Sequence, residues 1–501
     1  MMPLAQLLAE IQGEILQIQA QGLETSAFEE IEIERITADS REGQTGALFV
    51  AITGFKVDGH DYLASAVSKG CRAVVVERMV SPLPSVPVIL VKNTRRALGL
   101  LASAILDFPS RRLKVIGVTG TNGKTTATSL IHHILCQAGI PAGLIGAPET
   151  KIGEHREPSQ VTTPDALKLQ QLLSQMVNEG CTHVVMEVSS HGIELERIAG
   201  VEFDLAVLTN ISTDHLDLHK SQEAYVQTKF RFFASLPAAA TAVLNGDEPL
   251  SEQIRRQTKA QIVEYGLTGS PQVQALEIRD FDDSSRFQLV LPNEAQLLRL
   301  ECHLPLPGRH NISNALAAAA VAFTLGVDPA TVQQGLNTFP GVPRRLHPVC
   351  RSEITVIDDY AHNPGSIAAA LSTIAPPRYP GITLVVAVRG SRGEQVNWEN
   401  GRALADAINS WPNVRRVIVT ASSEVVAAKD RVTEPEQRAF VAALQTLSCP
   451  ISVHDRLDAA LKEALQLAQA KDLILLLGAQ GMDPGADMLL AMLGELAPIT
   501  G

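Results

Sequence analysis

The sequence predicts an α/β protein of three units, spanning residues 1–110, 111–341 and 342–501. Three observations carry this. A β-branched run breaks into a glycine-rich turn and then a helix between 114 and 139. From about 342 onward, apolar strand-length runs alternate with helical stretches. A chain of 501 residues is long enough for several domains, each with its own core.

The first of these is the most informative. Val115, Ile116 and Val118 read as a buried strand, followed by Gly120-Thr121-Asn122-Gly123-Lys124-Thr125-Thr126. A helix then opens at Thr125, runs through Leu130, Ile131, Ile134 and Leu135, and stops at Gly139. Glycines let backbone N–H groups close around phosphate oxygens, and the helix N-terminus adds partial positive charge. In such a loop Lys124 reaches the β- and γ-phosphates and the Thr125 hydroxyl sits on magnesium. The strict pattern wants glycine where Val118 stands; here Gly117 is one place early. An ordinary strand–turn–helix connection would have no need of Lys124 beside two threonines.

Net charge is 42 − 54 = −12 with no block of lysine and arginine, which argues against a nucleic-acid partner. Apolar runs such as Ile382 to Val388 and Leu473 to Leu477 fall well short of the roughly 18 residues of a membrane span. Residues 1–13 lack a basic region followed by an apolar core, so no secretory signal is expected. Six cysteines without Cys-x-x-Cys spacing suit reduced thiols in a cytoplasmic enzyme and argue against a zinc ribbon.

In the first unit, Ala47 to Ile52 and Ala73 to Val76 read as strands, with a helix around Tyr62 to Ser68. Asp39-Ser40-Arg41 and Gly54 to His60 are polar loops at strand ends, where a ligand could sit or where the chain simply turns. Phe108 to Arg112 reads as a hinge. In the second unit, Thr162-Thr163-Pro164-Asp165 reads as a helix start with a capping threonine and proline at the first helical position. The strand His183 to Val188 carries Glu187 near its end, where P-loop proteins commonly place a magnesium-holding carboxylate. The strand Leu205 to Leu208 runs into a polar segment containing Asp214, His215 and His219. His215 and His219 are four apart, yet no glutamate follows the first, so the zinc-protease pattern is absent. Lys229 lies on an amphipathic helix and on composition alone is a solvated lysine. Asn311 and Asn314 share one face of an alanine-rich helix, able to bond a base edge, with capping the alternative for Asn311. In the third unit strands are expected at 354–357, 382–388, 416–420 and 473–477 and helices at 400–409 and 457–470, a Rossmann-like arrangement without a Gly-x-Gly-x-x-Gly fingerprint.

Taken together these motifs closely resemble the Mur ligases of peptidoglycan synthesis, and within them the MurE type, over about residues 36–375. The carriers are Asp39-Ser40-Arg41, the Gly120 to Thr126 loop, Thr162-Thr163-Pro164, Met186 to Gly192, Asp214 to Asp217, Lys229, Gly308 to Asn314 and Asp359 to His362. Folylpolyglutamate synthases share the ATPase architecture, but Thr125-Thr126 and the first unit favour the Mur side.

The resemblance implies a UDP-binding domain, a central ATPase and a closing C-terminal domain. It implies a ligase that adds the third amino acid to UDP-N-acetylmuramoyl-L-alanyl-D-glutamate through an acyl phosphate, using ATP and Mg2+, in the cytoplasm and as a monomer. By position, Ser40, Phe55, Lys56 and Val57 would hold the uridine nucleotide, and Thr162, Thr163, Ser189 and Arg197 the muramoyl peptide. Gly120 through Thr126 would take the phosphates, Asn314 would face adenine, and Arg345 and Asp359 would complete the nucleotide site. Thr125, Glu187 and His215 would hold magnesium, supported by Lys229 in carbamylated form, an anion in place of a cation. Lys124, Glu187, His215 and Lys229 are thus the expected catalytic set.

The third unit departs from that pattern. Ala421-Ser422-Ser423-Glu424 stands where diaminopimelate-adding enzymes carry Asp-Asn-Pro-Arg, and Gly478 to Asp483 replaces their Gly-Lys-Gly-His-Glu loop. Arg344-Arg345 replaces a Gly-Arg pair. Arg392 and Asp483 are the weak remaining candidates for the amino-acid site. A family paralogue joining a different donor and amine, and a silent nucleotide-binding paralogue, are the alternatives.

Overall fold

The computed structural model describes residues 1–19, 28, 30–41, 45–55, 57–82, 84–159, 161–212, 216–281, 283–293 and 296–496. Its strands form three principal sheets, each wrapped by helices that cover its apolar faces.

The first sheet has five strands in the order Ile15–Gln19, Val88–Val91, Ala73–Val76, Ala47–Val50, Arg35–Thr37. All neighbours are parallel except the first pair. Strands buried on both faces read as continuous apolar runs, which is why Ala47–Val50 and Ala73–Val76 are visible in sequence. The helix Thr94–Ile105, capped by the Asn93 side chain at Arg96 N, covers one face. Gly99 on this helix lets it dock onto the central unit: an added Cβ would lie 2.4 Å from Ala199 O. The expected hinge at 108–112 is a short 3-10 turn, Pro109–Arg112, with Pro109 and Ser110 buried. Ser110 Oγ accepts from Glu202 N at 3.2 Å, so the connection is docked rather than free.

The central sheet has eleven strands, with Lys114–Thr119 in the middle between His183–Glu187 and Leu205–Leu208, all three parallel. Register aligns Val118 with Glu187 and Thr119 with Leu208, so the loops after all three strands leave one edge together. That edge is where open α/β sheets place ligands. One face is covered by the glycine-loop helix Lys124–Gln137 and the alanine-rich helix Arg309–Thr324, whose small buried side chains allow close packing. The other face carries Ala166–Asn178 and Gln222–Ala234. An antiparallel extension, Val273–Asp280, Ser285–Asn293 and Gln296–Leu304, continues the sheet beyond what the sequence reading anticipated.

The third sheet orders His347–Arg351, Thr355–Asp359, Leu473–Leu477, Ile382–Ala387, Val414–Thr420, Ile451–His454, parallel except at the first edge. Its two edge strands were not anticipated, being half exposed and not continuously apolar. No described helix is long and apolar enough to cross a membrane.

Candidate active site

The glycine loop turns because two residues sit in the left-handed region: Gly120 at φ 154° and Gly123 at φ 85°. Neither position has room for a side chain. A Cβ on Gly120 would lie 1.8 Å from Thr209 Oγ1, and one on Gly123 would lie 2.4 Å from Asn314 Oδ1. Polar groups from the neighbouring strand end brace the loop: Thr209 Oγ1 donates to Asn122 O at 2.6 Å, and Asn122 N donates to Asn210 Oδ1 at 3.0 Å. Thr121 Oγ1 meets the Tyr225 hydroxyl at 2.9 Å. The loop is therefore preformed, with its shape held by the adjacent strand and helix.

Lys124 Nζ donates to Gly120 O at 2.9 Å and Thr121 O at 2.8 Å. The Thr125 hydroxyl donates to Glu187 Oε1 at 3.0 Å, and the same oxygen accepts from Ala147 N at 2.9 Å. Glu187 is 1 % exposed. Burial raises its pKa, opposed by Lys124, the Ala147 N–H, Arg345 and Thr125. Thr126 is buried in the first turn of the same helix. From the third unit, Arg345 Nη2 reaches Thr125 Oγ1 at 3.3 Å, and Asp359 accepts from Leu346 N at 2.7 Å and Ala361 N at 2.8 Å. Asp359 is buried and its pKa is raised by that burial, with Arg345 the main opposing charge. The Asn122 and Asn363 amides meet at 3.3 Å, a second contact between the two units.

Lys229 corrects the reading from composition. It is 1 % exposed, donates to Gly120 O at 2.9 Å and lies with Nζ 4.7 Å from the Tyr225 ring centroid. Tyr225 and Lys229 stand four apart on Gln222–Ala234, so one helix face brings both to the glycine loop. That spacing was the signal available in sequence, and Tyr225 was missed. Asn314 is buried against Gly123 with its amide donating to Asn311 Oδ1 at 3.4 Å; Asn311 donates to Pro307 O at 2.8 Å and is not the cap, which is Gly308. His215 lies outside the described residues. Among the described residues no group of three or more histidine, cysteine, aspartate or glutamate side chains is placed to hold a metal ion.

A cleft of about 460 Å3 opens between the first and central units, lined among others by Asp39, Arg95, Asp165 and Arg197. The expected capping role of Thr163 is corrected here: Asp165 caps Ala166–Asn178, accepting from Lys168 N at 3.0 Å. The Thr163 hydroxyl is fully buried and committed elsewhere, donating to Glu187 O at 2.9 Å and accepting from Ser189 N at 3.0 Å. Ser189 caps the short helix that follows, accepting from Gly192 N at 3.0 Å. Arg197 Nη1 donates to Thr163 O at 2.8 Å. Thr163, Ser189 and Arg197 thus form one bonded set directly behind Glu187, with Thr162 half-buried beside them. Ser40, next to the cleft residue Asp39, is buried, and Phe55 (79 %) and Val57 (55 %) are exposed; Lys56 lies outside the described residues.

Arg392 is anchored through its backbone, and Asp483 through its side chain. The Arg392 and Gly393 backbone N–H groups both donate to Glu436 Oε1 at 2.8 Å. Asp483 pairs with Arg344, whose guanidinium also reaches Asp358 Oδ2 at 3.2 Å.

Comparisons with known proteins agree with this geometry. Residues 32–105 match the Mur ligase family catalytic domain, 118–322 the Mur ligase middle domain, and 344–480 the Mur ligase glutamate ligase domain. The UDP-N-acetylmuramoyl-L-alanyl-D-glutamate--2,6-diaminopimelate ligase of Geobacillus thermodenitrificans is 39 % identical over 368 residues, covering 72 % of this chain and 74 % of that protein. The protein of the same name from Halalkalibacterium halodurans is 36 % identical over 455 residues, covering 89 % of each. A crystal structure of MurF from Acinetobacter baumannii superposes with a TM-score of 0.68 over 99 % of both chains at 24 % identity, a likeness of fold. The chain belongs to the Mur ligase family, whose members are ATP-dependent acid–amino-acid ligases. Within that family its relatives place it in the MurE type.

Proposed function

We propose that this chain joins an amino acid to the side-chain carboxyl of the terminal D-glutamate in UDP-N-acetylmuramoyl-L-alanyl-D-glutamate, consuming ATP, as a step of peptidoglycan precursor synthesis. The observation that carries the reading is the convergence on one sheet edge of a phosphate loop, a buried glutamate and the Thr163–Ser189–Arg197 set. Glu187 links the two, its side chain accepting from Thr125 of the loop and its backbone carbonyl from Thr163 of the set, so a phosphate donor on the loop and a carboxylate substrate beside that set would lie close together. The relatives' names make 2,6-diaminopimelate the first amine to test.

The donor set fits magnesium. A threonine hydroxyl and a carboxylate are hard oxygen ligands, and magnesium commonly takes only one or two protein ligands beside phosphates and water. Thr125 and Glu187 would hold it, with His215 a further candidate. When bound, ATP would supply the phosphoryl group that turns a carboxylate, a poor acyl donor, into a reactive one, and magnesium would neutralise the phosphate oxygens during that transfer. The chain's own residues do the remainder. Lys124 and Arg345 place two positive charges beside the loop, neutralising charge that develops during transfer. Asn314, packed on Gly123, positions the end of the loop helix. Arg345 and Asn363 tie the third unit to the loop, the arrangement needed for that unit to shield a reactive acyl phosphate from water. Lys229 in carbamylated form would add an anionic oxygen pair where its ammonium now bonds Gly120 O.

The domains are assigned as 1–110 for the nucleotide-sugar, 111–341 for ATP and 342–501 for the amino acid. One chain furnishes all these residues, which suits a monomer. All six cysteines are free thiols, which suits the cytoplasm where ATP and UDP-sugars are available. The test is ADP release with ATP, magnesium and the UDP-muramoyl dipeptide, with and without amine. Release that requires both donor and amine supports the reading; release that ignores the muramoyl dipeptide overturns it.

A further inference from the structure

The cleft between the first and central units holds a cation that the readings above leave without a task. Arg95 stands in the first turn of Thr94–Ile105, with Nη2 donating to Thr53 O at 2.7 Å. It lines the 460 Å3 cavity together with Thr37, Asp39, Asp165, Lys168 and Arg197. Three cations therefore face two carboxylates, and both carboxylates are engaged. Asp39 takes Arg41 in a fork, with Nε at 2.9 Å and Nη2 at 2.6 Å, and this holds its carboxyl down to about 2. Asp165 accepts from Lys168 N at the helix cap and keeps its charge beside Arg197. Arg95 and Arg197 repel each other across the cleft: burial draws the Arg197 guanidinium below its usual range, Asp165 opposes this, and Arg95 adds to it. Two guanidinium groups that face one cavity are stabilised when an anion lies there.

We propose that Arg95 binds the diphosphate of the nucleotide-linked substrate. This rests on the assignment of the cleft to that substrate. The linear order of the substrate is uridine, two phosphates, sugar, then peptide, and the cleft offers its groups in a matching order. The loop that exposes Phe55 and Val57 begins just after Thr53, which accepts from Arg95, while Arg197 on the same cavity donates to Thr163 O. Arg95 touches the base of the loop through Thr53 O and shares the cavity with Arg197. The segment between base and sugar is the diphosphate, and a guanidinium fork matches phosphate oxygens in pairs.

A structural role is the competing explanation, since Arg95 also props the Thr53 carbonyl. Calorimetric titration of the full-length protein with UDP and with uridine separates the two. Wild type is expected to bind UDP more tightly than uridine. Arg95→Gln is expected to weaken UDP binding by about tenfold or more and to leave uridine binding within about twofold. Arg95→Lys, which keeps the charge and loses the fork, is expected to fall between, and it supplies the comparison if the glutamine variant does not fold. Equal weakening toward both ligands makes Arg95 a prop for the loop and overturns the proposal, as does unchanged UDP binding. Wild type that binds neither ligand overturns the assignment of the cleft itself.

Discussion

Replacing Lys124 by methionine keeps an unbranched stem and removes one positive charge and three donors. The structure gives both halves of the expected effect. Lys124 Nζ bonds Gly120 O and Thr121 O at 2.9 and 2.8 Å. In the variant Gly120 O retains Lys229 Nζ at 2.9 Å, so only Thr121 O loses its ammonium partner. One unsatisfied, partly buried carbonyl costs about 1–3 kcal/mol, which leaves the protein folded. The effect on turnover is larger. Removing a single preorganised donor from a developing oxyanion typically slows reaction by roughly 100- to 1,000-fold. A full ammonium beside phosphates belongs at or above that upper end, about 4 kcal/mol in the barrier. The assay is ADP release at saturating ATP, magnesium, UDP-muramoyl dipeptide and amine, with a thermal melt alongside. A folded Lys124→Met protein that turns over within tenfold of wild type would remove the lysine from the mechanism.

Three further outcomes are expected. Thr125→Ala removes the hydroxyl shared by Glu187 and Arg345 and should lower kcat and raise the magnesium needed for half-maximal rate; Thr125→Ser should restore both, and an unchanged magnesium requirement in the alanine variant would refute the metal assignment. Gly99→Val forces side-chain atoms against Ala199 O, 2.4 Å from the Cβ position, and should cost about 1–3 kcal/mol of stability, read as a lowered first thermal transition. His132 joins the loop helix to the neighbouring strand, with Nε2 3.1 Å from Ala142 O, and burial lowers its pKa to about 4. Its folded pKa lies below its unfolded value near 6.5, so its contribution is complete above pH 6.5 and is lost as pH falls through about 4. It amounts to at most about 3 kcal/mol, and His132→Gln should flatten the fall in denaturation midpoint between those pH values; an unaltered slope would contradict the assignment.

How much was legible in sequence follows from what each signal depends on. The strand Lys114–Thr119 and its loop were visible because burial on both faces and the left-handed turn each demand particular residues locally. The parallel strands of the third unit were visible for the first of those reasons. Lys229 was legible only through the family resemblance, since a helical pattern assigns lysine to water and only the tertiary placement of Gln222–Ala234 carries it to Gly120 O. Thr163 and Asp165 both suit a helix start, and the choice between them was made by Glu187 O and Ser189 N, distant in sequence. The extension at 273–304 buries Phe287, Leu289 and Leu291, but Val290 between them is apolar and buried as well, which blurs the period-two signal. Contacts between the central and third units, such as Arg345 with Thr125, have no local signature at all.

The most direct test of the ligase chemistry follows an oxygen atom. The UDP-muramoyl dipeptide would carry oxygen-18 in the D-glutamyl side-chain carboxyl, and the phosphate released in the presence of amine would be weighed by mass spectrometry. Transfer of one labelled oxygen to phosphate for each amide formed is the expected result. Release of unlabelled phosphate, with both labelled oxygens left on the peptide, would contradict activation of that carboxyl at this site.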